Sequence, residues 1–205
     1  MSGEIILPLM LDPRYTVDID NARDLERAEW LMTSKELDVV RPGPGPRPLP
    51  EHVELLVLDF DGVLTDDRVW LNAEGVEWVA AHRGDGWGIA RLLEGGVQVV
   101  VLSSETNPVV AARCRKLGIL AIQGVREKGP ALLDLLRERG VAHNRVVYVG
   151  NDVNDLPCFP LAGCAVTVAD GHPKALKEAD LVLRARGGRG AVRELCDILL
   201  ERRRA

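Results

Sequence analysis

The stretch VELLVLDFDGVLTD, residues 53–66, contains an unbroken apolar run that is followed at once by two aspartates. A short apolar run bounded by polar residues is typical of a strand that is buried on both faces of a parallel sheet. We therefore predict a strand over residues 55–58 whose carboxyl end presents Asp59 and Asp61.

The same alternation of short apolar runs and helical segments continues through the rest of the chain. Asn107 and Pro108 form a typical helix start, and Gly118 a typical helix end. Regular alternation of strands and helices predicts an α/β fold, a doubly wound, Rossmann-like parallel sheet. Further strands are predicted over residues 97–102, 120–122, 146–149, 165–168 and 181–183, and a small β-hairpin insert over residues 68–71 and 76–79 around the turn NAEG.

A proline-rich segment divides the chain. Five of its twelve prolines lie within residues 41–51, which excludes a helix or a central strand there. We predict an N-terminal piece over residues 1–40, with a helix over residues 22–37, a linker over residues 41–52 and an α/β domain over residues 53–205. The first piece is too short to bury a core alone.

Composition excludes several classes of protein. The 205 residues are 46% hydrophobic and 28% charged, which is typical of a soluble globular chain. No apolar run approaches the roughly 20 residues of a membrane span, so that we expect a cytoplasmic protein without a membrane partner. A net charge of −5 gives no electrostatic reason to bind nucleic acid. The four cysteines are far apart and lack CxxC spacing, which favours reduced structural thiols.

Polar residues follow four of the predicted strands, and in a parallel sheet these strand ends lie at one edge. Carboxylates gathered there would repel one another unless a cation intervened, and oxygen ligands suit Mg²⁺. Beside a metal, a lysine and a serine hydroxyl would hold a phosphoryl group. One aspartate could then attack phosphorus while a second transfers protons. The residues that we expect to converge are Asp59, Asp61, Ser103, Lys128, Asp152 and Asp155.

In combination, DFDGVLTD (59–66), Ser103, Lys128 and GNDVND (150–155) resemble the four motifs of the haloacid dehalogenase superfamily of phosphatases. More narrowly, the hairpin insert, HRGDG (82–86), VADGHP (168–173) and GGRGAVRE (187–194) are similar to the capless 3-deoxy-octulosonate 8-phosphate phosphatase group. Within that group, the chain most resembles the phosphatase domain fused to bacterial acylneuraminate cytidylyltransferases.

This resemblance implies a role for each matched residue. Asp59 would be the nucleophile and Asp61 the general acid and base. Mg²⁺ would be held by the Asp59 carboxylate, the Asp61 backbone carbonyl and Asp152, with Asp155 supporting the site. Ser103 and Lys128 would bind phosphate. The resemblance also implies a homotetramer in which hairpins associate and a neighbouring subunit covers each active site.

One departure bears on the substrate. Ser104 and Glu105 stand where the octulosonate enzymes usually carry Gly-Arg, which favours the nonulosonate branch and sialic acid biosynthesis. We therefore expect Glu105 to contact substrate and the substrate to be an acylneuraminate 9-phosphate or its deaminated analogue. Octulosonate 8-phosphate is the alternative substrate, and a non-catalytic tetramerisation domain associated with a cytidylyltransferase is the alternative function. Arg83 could pair with a substrate carboxylate or remain solvated.

The N-terminal piece resembles a different protein. VDID (17–20), with Asp24, Ala28 and Glu29, is similar to the carboxyl end of an acylneuraminate cytidylyltransferase. The nucleotide-binding part of that family has no counterpart in this sequence, so that we expect no cytidylyl transfer by this chain alone. The piece could be a remnant, a shortened reading frame or half of a split enzyme that pairs with a cytidylyltransferase chain.

Overall fold

A computed structural model describes residues 20–26 and 45–203, and the chain divides into two compact units, Met1–Gly43 and Pro44–Ala205. In the first unit, residues 22–26 are helical. The side-chain oxygen of Asn21 caps this turn by accepting hydrogen bonds from the backbone N–H groups of Arg23 and Asp24, at 2.9 and 3.2 Å. The remainder of the predicted helix over residues 22–37 lies outside the described residues.

The second unit consists of alternating strands and helices. In chain order the elements are β1 (Leu55–Leu58), β2 (Trp70–Leu71), β3 (Glu77–Trp78), α1 (Arg83–Glu94), β4 (Gln98–Leu102), α2 (Pro108–Leu117), β5 (Leu120–Ile122), α3 (Lys128–Arg139), β6 (Val146–Val149), β7 (Cys164–Thr167), α4 (Pro173–Glu178), β8 (Leu181–Val182) and α5 (Ala191–Arg202), with 3-10 helices at His143–Arg145 and Leu156–Leu161. Six of the strands form a parallel sheet in the order β5-β4-β1-β6-β7-β8, and β2 and β3 form a separate two-stranded sheet.

The first strand lies in the middle of this sheet. On one side β1 pairs in parallel with β4, and on the other with β6, so that Leu58 is level with both Val101 and Val149. The chain therefore winds outward in both directions from β1, which confirms the predicted α/β fold. Ligands of such sheets bind beyond the carboxyl ends of the strands where the winding reverses, which here is the end of β1.

Burial on both faces explains why β1 is apolar without a break. Leu56 and Leu58 belong to the core that packs against α1, α2 and α5, whereas Leu55 and Val57 belong to the core beneath α3. Successive side chains of a strand point to opposite faces. Each of these four residues therefore packs against helices.

The hairpin insert is present, with shorter strands than the sequence indicates. Each strand has two residues, and Trp70 lies opposite Trp78. The Asn72 side chain holds the turn by accepting hydrogen bonds from the backbone N–H groups of Glu74 and Val76. Both tryptophans are exposed.

Part of the proline-rich segment is attached to the second unit. The Arg47 guanidinium pairs with the Asp180 carboxylate at 2.6 Å and donates to the backbone carbonyl of Phe159 at 2.8 Å. Leu49 is buried. These contacts attach residues 47–49 to segments that flank the sheet, whereas the boundaries predicted for the linker stay a prediction.

None of the helices in the described part of the chain is long and apolar enough to cross a membrane. All four cysteines are free and buried, as the sequence indicates for reduced structural thiols. The cytoplasmic location stays a prediction.

Candidate active site

A buried ion cluster lies at the carboxyl end of the central strand. Asp59 directly follows β1 and Lys128 begins α3, and the Lys128 ammonium lies 2.8 Å from Asp59 Oδ1 and 2.8 Å from Asp155 Oδ1. Asp155 is fully buried, Lys128 is 1% exposed and Asp59 is 6% exposed. Groups that are distant in sequence thus form one contiguous charged cluster.

Asp155 holds the cluster and its own loop together. Its Oδ1 accepts a hydrogen bond from the Tyr148 hydroxyl at 2.7 Å, in addition to the contact with Lys128. Its Oδ2 accepts from the backbone N–H groups of Asn151 and Asp152 at 2.9 and 3.2 Å. A buried carboxylate with this many donors is well satisfied, so that Asp155 fixes the loop that follows β6.

The two carboxylates share one lysine, and the charge balance raises the pKa of Asp59. Burial, followed by repulsion from Asp155, raises the pKa of Asp59 to about 7, although Lys128 acts in the opposite direction. Burial alone would lower the pKa of Lys128, but the carboxylates of Asp59 and Asp155 outweigh it and the net shift is upward. The cluster therefore keeps a charged lysine and carries one uncompensated negative charge when both aspartates are ionised.

Asp61 lies in the loop after β1 and is partly buried. The Thr65 hydroxyl donates to Asp61 Oδ1 at 3.2 Å. Burial raises the pKa of Asp61, Thr65 lowers it, and the nearby Glu105 and Asp67 raise it further. The result is a carboxyl that holds its proton more readily than an ordinary aspartate.

The loop that carries Asp61 turns at Gly62, which has a φ of +74°. A Cβ atom at this position would lie 2.0 Å from Asn151 Nδ2, so that no other residue fits without displacing that side chain. Gly62 thus brings the loop after β1 into contact with the loop after β6.

Ser103 directly follows β4 at the same edge of the sheet and is 1% exposed. Its Oγ accepts a hydrogen bond from the backbone N–H of Glu105 at 3.1 Å, which leaves its own hydroxyl proton to donate. Glu105 is exposed, and its Oε1 accepts from the N–H groups of Thr106 and Asn107 at 2.6 and 2.8 Å. The Glu105 carboxylate therefore stabilises the turn that follows it, and it lies near Asp61.

Two residues predicted for the site are exposed, unlike the members of the buried cluster. Asp152 is exposed, and its Oδ1 accepts from the N–H of Val153 at 2.6 Å. Arg83 is exposed and lines a groove between α1 and α2 with Trp87 and Arg113. The metal role of Asp152 and the substrate role of Arg83 stay predictions.

Two residues of this site are not predicted from the sequence. Asn151 is 8% exposed, and its Oδ1 is buried with no hydrogen-bond partner within the described residues. Tyr148, fully buried in β6, donates to Asp155. A tyrosine in an otherwise apolar strand signals a hydroxyl that needs a buried partner, whereas no feature of the sequence points to Asn151.

The donors in this cluster fit a divalent cation. The Asn151 side chain lies against the loop that carries Asp61, and its buried Oδ1 accepts no hydrogen bond from the described residues. A buried oxygen normally has a hydrogen-bond donor, and a cation could take the place of that donor. The raised pKa of Asp59 marks a carboxylate that a neighbouring cation would restore to its ionised form. Within the described ranges, no group of three or more His, Cys, Asp or Glu side chains could hold a metal. A site here therefore requires amide or carbonyl oxygens, ligands that Mg²⁺ accepts.

Sequence comparison identifies relatives of known activity. A sequence profile of haloacid dehalogenase-like hydrolases matches residues 120–194. The 3-deoxy-D-manno-octulosonate 8-phosphate phosphatase of Escherichia coli is 42% identical over 151 residues, which are 73% of this chain and 80% of that protein. The Haemophilus influenzae enzyme of the same name is 38% identical over 152 residues, 74% of this chain and 84% of that one.

Solved structures share the fold. A HAD family hydrolase from Streptomyces avermitilis matches with a TM-score of 0.72 and 49% identity, over 76% of this chain and 89% of that one. The 3-deoxy-D-manno-octulosonate 8-phosphate phosphatase of Moraxella catarrhalis, solved with magnesium, phosphate and KDO, matches with a TM-score of 0.73 and 32% identity, over 75% and 89%.

Proposed function

The chain belongs to the haloacid dehalogenase superfamily, in its capless group of 3-deoxy-octulosonate 8-phosphate phosphatase-like enzymes, and from this premise we propose that it hydrolyses 3-deoxy-octulosonate 8-phosphate or a closely related sugar-acid phosphate. It is a phosphatase with a divalent metal cofactor, Mg²⁺. The single observation that carries the proposal is the buried contact of Lys128 with both Asp59 and Asp155. A non-catalytic domain would have no use for so costly a cluster.

Asp59 is the nucleophile of the proposed reaction. In the described residues, all its side-chain contacts are made by Oδ1, which accepts from the Phe60 N–H at 2.7 Å and from Lys128 at 2.8 Å. Oδ2 is therefore the oxygen available for attack. Attack on phosphorus forms an aspartyl-phosphate and breaks the bond to the sugar oxygen, while Lys128 and the Ser103 hydroxyl hold the phosphoryl oxygens.

Asp61 transfers the protons. Its raised pKa favours the protonated form, which gives its proton to the departing sugar alkoxide. The resulting carboxylate then takes a proton from a water molecule, whose oxygen attacks phosphorus and releases inorganic phosphate and free Asp59. Thr65 holds the Asp61 carboxyl in place through both steps.

Asp59, Asn151 and the backbone carbonyl of Asp61 would hold the metal, with the predicted contribution of Asp152. When bound, Mg²⁺ supplies positive charge that neutralises the phosphoryl oxygens and keeps Asp59 ionised. Asp155 and Tyr148 fix the position of Lys128 and of the loop after β6.

Glu105 supports a second candidate substrate, an acylneuraminate 9-phosphate. Its carboxylate lies close enough to Asp61 to raise the pKa of Asp61, so that the entrance carries negative charge where a cation is usual in the octulosonate enzymes. The relatives that the chain matches over most of their length are named as octulosonate 8-phosphate phosphatases. We give this similarity more weight in the choice of substrate than the single substitution at Glu105. The predicted cytidylyltransferase partner stays a prediction.

A substrate panel tests the choice. We expect phosphate release from 3-deoxy-octulosonate 8-phosphate to be at least about tenfold faster, in kcat/KM, than from an acylneuraminate 9-phosphate or from glucose 6-phosphate, since a tenfold ratio needs only about 1.4 kcal/mol. A chelator should stop release and added Mg²⁺ should restore it. Faster release from the 9-phosphate would replace our choice with the second candidate, and no release from any substrate would refute the phosphatase.

The exposed hairpin supports a homo-oligomer. Trp70 is 70% exposed and Trp78 is 56% exposed, and Val69, Leu71 and Val76 on the same insert are exposed as well. An apolar surface of this kind normally marks an interaction site. We propose that hairpins of several copies associate, as in the tetramer that the family resemblance implies.

Sedimentation equilibrium tests this association. We expect the wild-type chain to sediment as four chain masses at micromolar concentration, and Trp70→Ser with Trp78→Ser to shift it toward the monomer. Trp87→Ser is the matched control, because Trp87 is 62% exposed but lies on α1. A wild-type monomer, or equal dissociation by the Trp87 variant, would contradict the role of the hairpin.

A further inference from the structure

Asp85 is a buried carboxylate that serves an element other than its own helix. It lies in the first turn of α1 and is fully buried. Its Oδ1 accepts a hydrogen bond from the backbone N–H of Arg193 in α5, at 2.8 Å. Its Oδ2 is buried without a hydrogen-bond partner among the described residues. Burial of a carboxylate is unfavourable unless it is compensated. Stabilising the first turn of α1 does not require this burial, so that Asp85 must have a further role.

The bond to Arg193 caps α5 from outside. This helix begins after Gly190, which has a φ of +97° and no side chain to bind the first N–H groups. Asp85 supplies that acceptor, with a negative charge that suits a helix N-terminus. The two helices also pack closely, since a Cβ on Gly88 of α1 would lie 2.9 Å from Cys196 Cβ. Asp85 therefore fixes where α5 begins.

The segment that leads into α5 rests on the loop that carries Asp61. The Gly188 N–H donates to the Val63 carbonyl at 2.9 Å. A Cβ on Gly187 would lie 1.9 Å from the Gly62 carbonyl oxygen, so that the two backbones are in close contact. A change in where α5 begins would therefore move the backbone that supports Asp61.

We propose that Asp85 is a positioning residue for Asp61, which acts through the N-terminus of α5 and the glycine segment at residues 187–188. This inference rests on the proposed function, in which Asp61 protonates the leaving oxygen. Asp85 does not touch substrate. Its loss affects the proton transfer of Asp61, while the attack by Asp59 and the binding of phosphate are retained.

The choice of leaving group separates this role from a structural one. A sugar alkoxide leaves only when it is protonated, whereas the nitrophenolate of p-nitrophenyl phosphate leaves without a proton. For Asp85→Ala we expect the single-turnover rate of sugar release from the sugar phosphate to fall about 10- to 100-fold, the size of effect that a misplaced group produces, with KM nearly unchanged. On p-nitrophenyl phosphate, the single-turnover rate of nitrophenolate release should fall by less than about threefold, because this step precedes the attack of water and needs no proton from Asp61.

Two further variants complete the experiment. Asp85→Asn retains a side-chain oxygen that can accept from Arg193, and we expect it to restore most of the activity on the sugar phosphate. Leu199→Ala removes a buried side chain from the far end of α5 and controls for loss of stability. Equal losses for Asp85→Ala in the single-turnover release of the sugar and of nitrophenolate, or the same selective loss in Leu199→Ala, would overturn the inference. A wild-type protein that releases no phosphate at all would instead refute the proposed function.

Discussion

Asp59→Asn is expected to lower phosphate release by about 10⁴-fold or more, because an amide cannot attack phosphorus and nothing else in the cluster can form the aspartyl-phosphate. The fold should persist, since the amide occupies the same volume and Lys128 keeps its contact with Asp155. The measurement is phosphate release under saturating Mg²⁺. Asp134→Asn is the matched control, as Asp134 is an exposed residue of α3 that pairs with Arg137 on the same helix.

The same variant has a defined effect on stability against pH. The pKa of Asp59 is raised from 3.8 to about 7, so that its contribution to the stability of the metal-free protein is full below pH 3.8 and is lost as pH rises through about 7. Asp59→Asn lacks this dependence. Without metal, the melting temperature of the variant should therefore exceed that of the wild type at pH 8 and not at pH 4.

Turnover decides the catalytic assignment. If Asp59→Asn retained more than about 1% of wild-type turnover, the assignment of Asp59 as the nucleophile would be wrong, since loss of a catalytic nucleophile lowers turnover by far more than 10²-fold. Asp59→Ala, which cannot revert by deamidation, checks the result.

The central part of the site could be predicted because it depends on a rule of topology. Apolar runs predict the six strands of the parallel sheet to within a residue, as in residues 97–102 against Gln98–Leu102 and residues 55–58 against Leu55–Leu58. Once the strands are parallel, the residues that follow them must lie at one edge. Asp59, Lys128 and Asp155 were therefore predicted together and lie together.

Which residues of a loop point into the site is harder to predict, because it depends on the direction of side chains in turns, which shows no simple pattern in the sequence. Asn151 and Asp152 are neighbours, and the preference of metals for carboxylates favours Asp152. In the structure, Asp155 binds the backbone N–H groups of both residues, and in the resulting turn Asn151 is buried while Asp152 is exposed. Asp85 is a similar case, because its bond to Arg193 joins residues 108 positions apart in the chain.

Lys128→Met should affect both folding and catalysis, because the lysine is the shared counter-charge of two buried carboxylates. Methionine has a similar length and no charge, so that the change leaves the buried carboxylates of Asp59 and Asp155 without a counter-charge. Removing one partner of a buried ion pair typically costs about 3–5 kcal/mol. We expect a loss of this size in the free energy of unfolding by urea at pH 8, with a loss of phosphate release of about 10³-fold, which is typical for removing a group that stabilises transition-state charge.

The pH dependence identifies the cause of that loss of stability. Lys128 lowers the pKa of Asp59, so that its removal raises this pKa further and the folded variant favours a protonated carboxyl. The deficit in unfolding free energy should therefore be largest at pH 8 and should shrink as pH falls and the carboxyls take up protons. Lys116→Met, at an exposed position of α2, should change neither stability nor turnover.

A double variant separates the two roles of the lysine. Adding Asp155→Asn to Lys128→Met removes one of the unpaired charges, and we expect it to recover part of the unfolding free energy while phosphate release stays lost. Recovery of stability without activity means that Lys128 neutralises the carboxylates in the folded protein and also binds the phosphoryl group. If Lys128→Met were as active as the wild type, phosphate binding would have to be reassigned to Ser103 and the metal, and Lys128 would have a role in folding only.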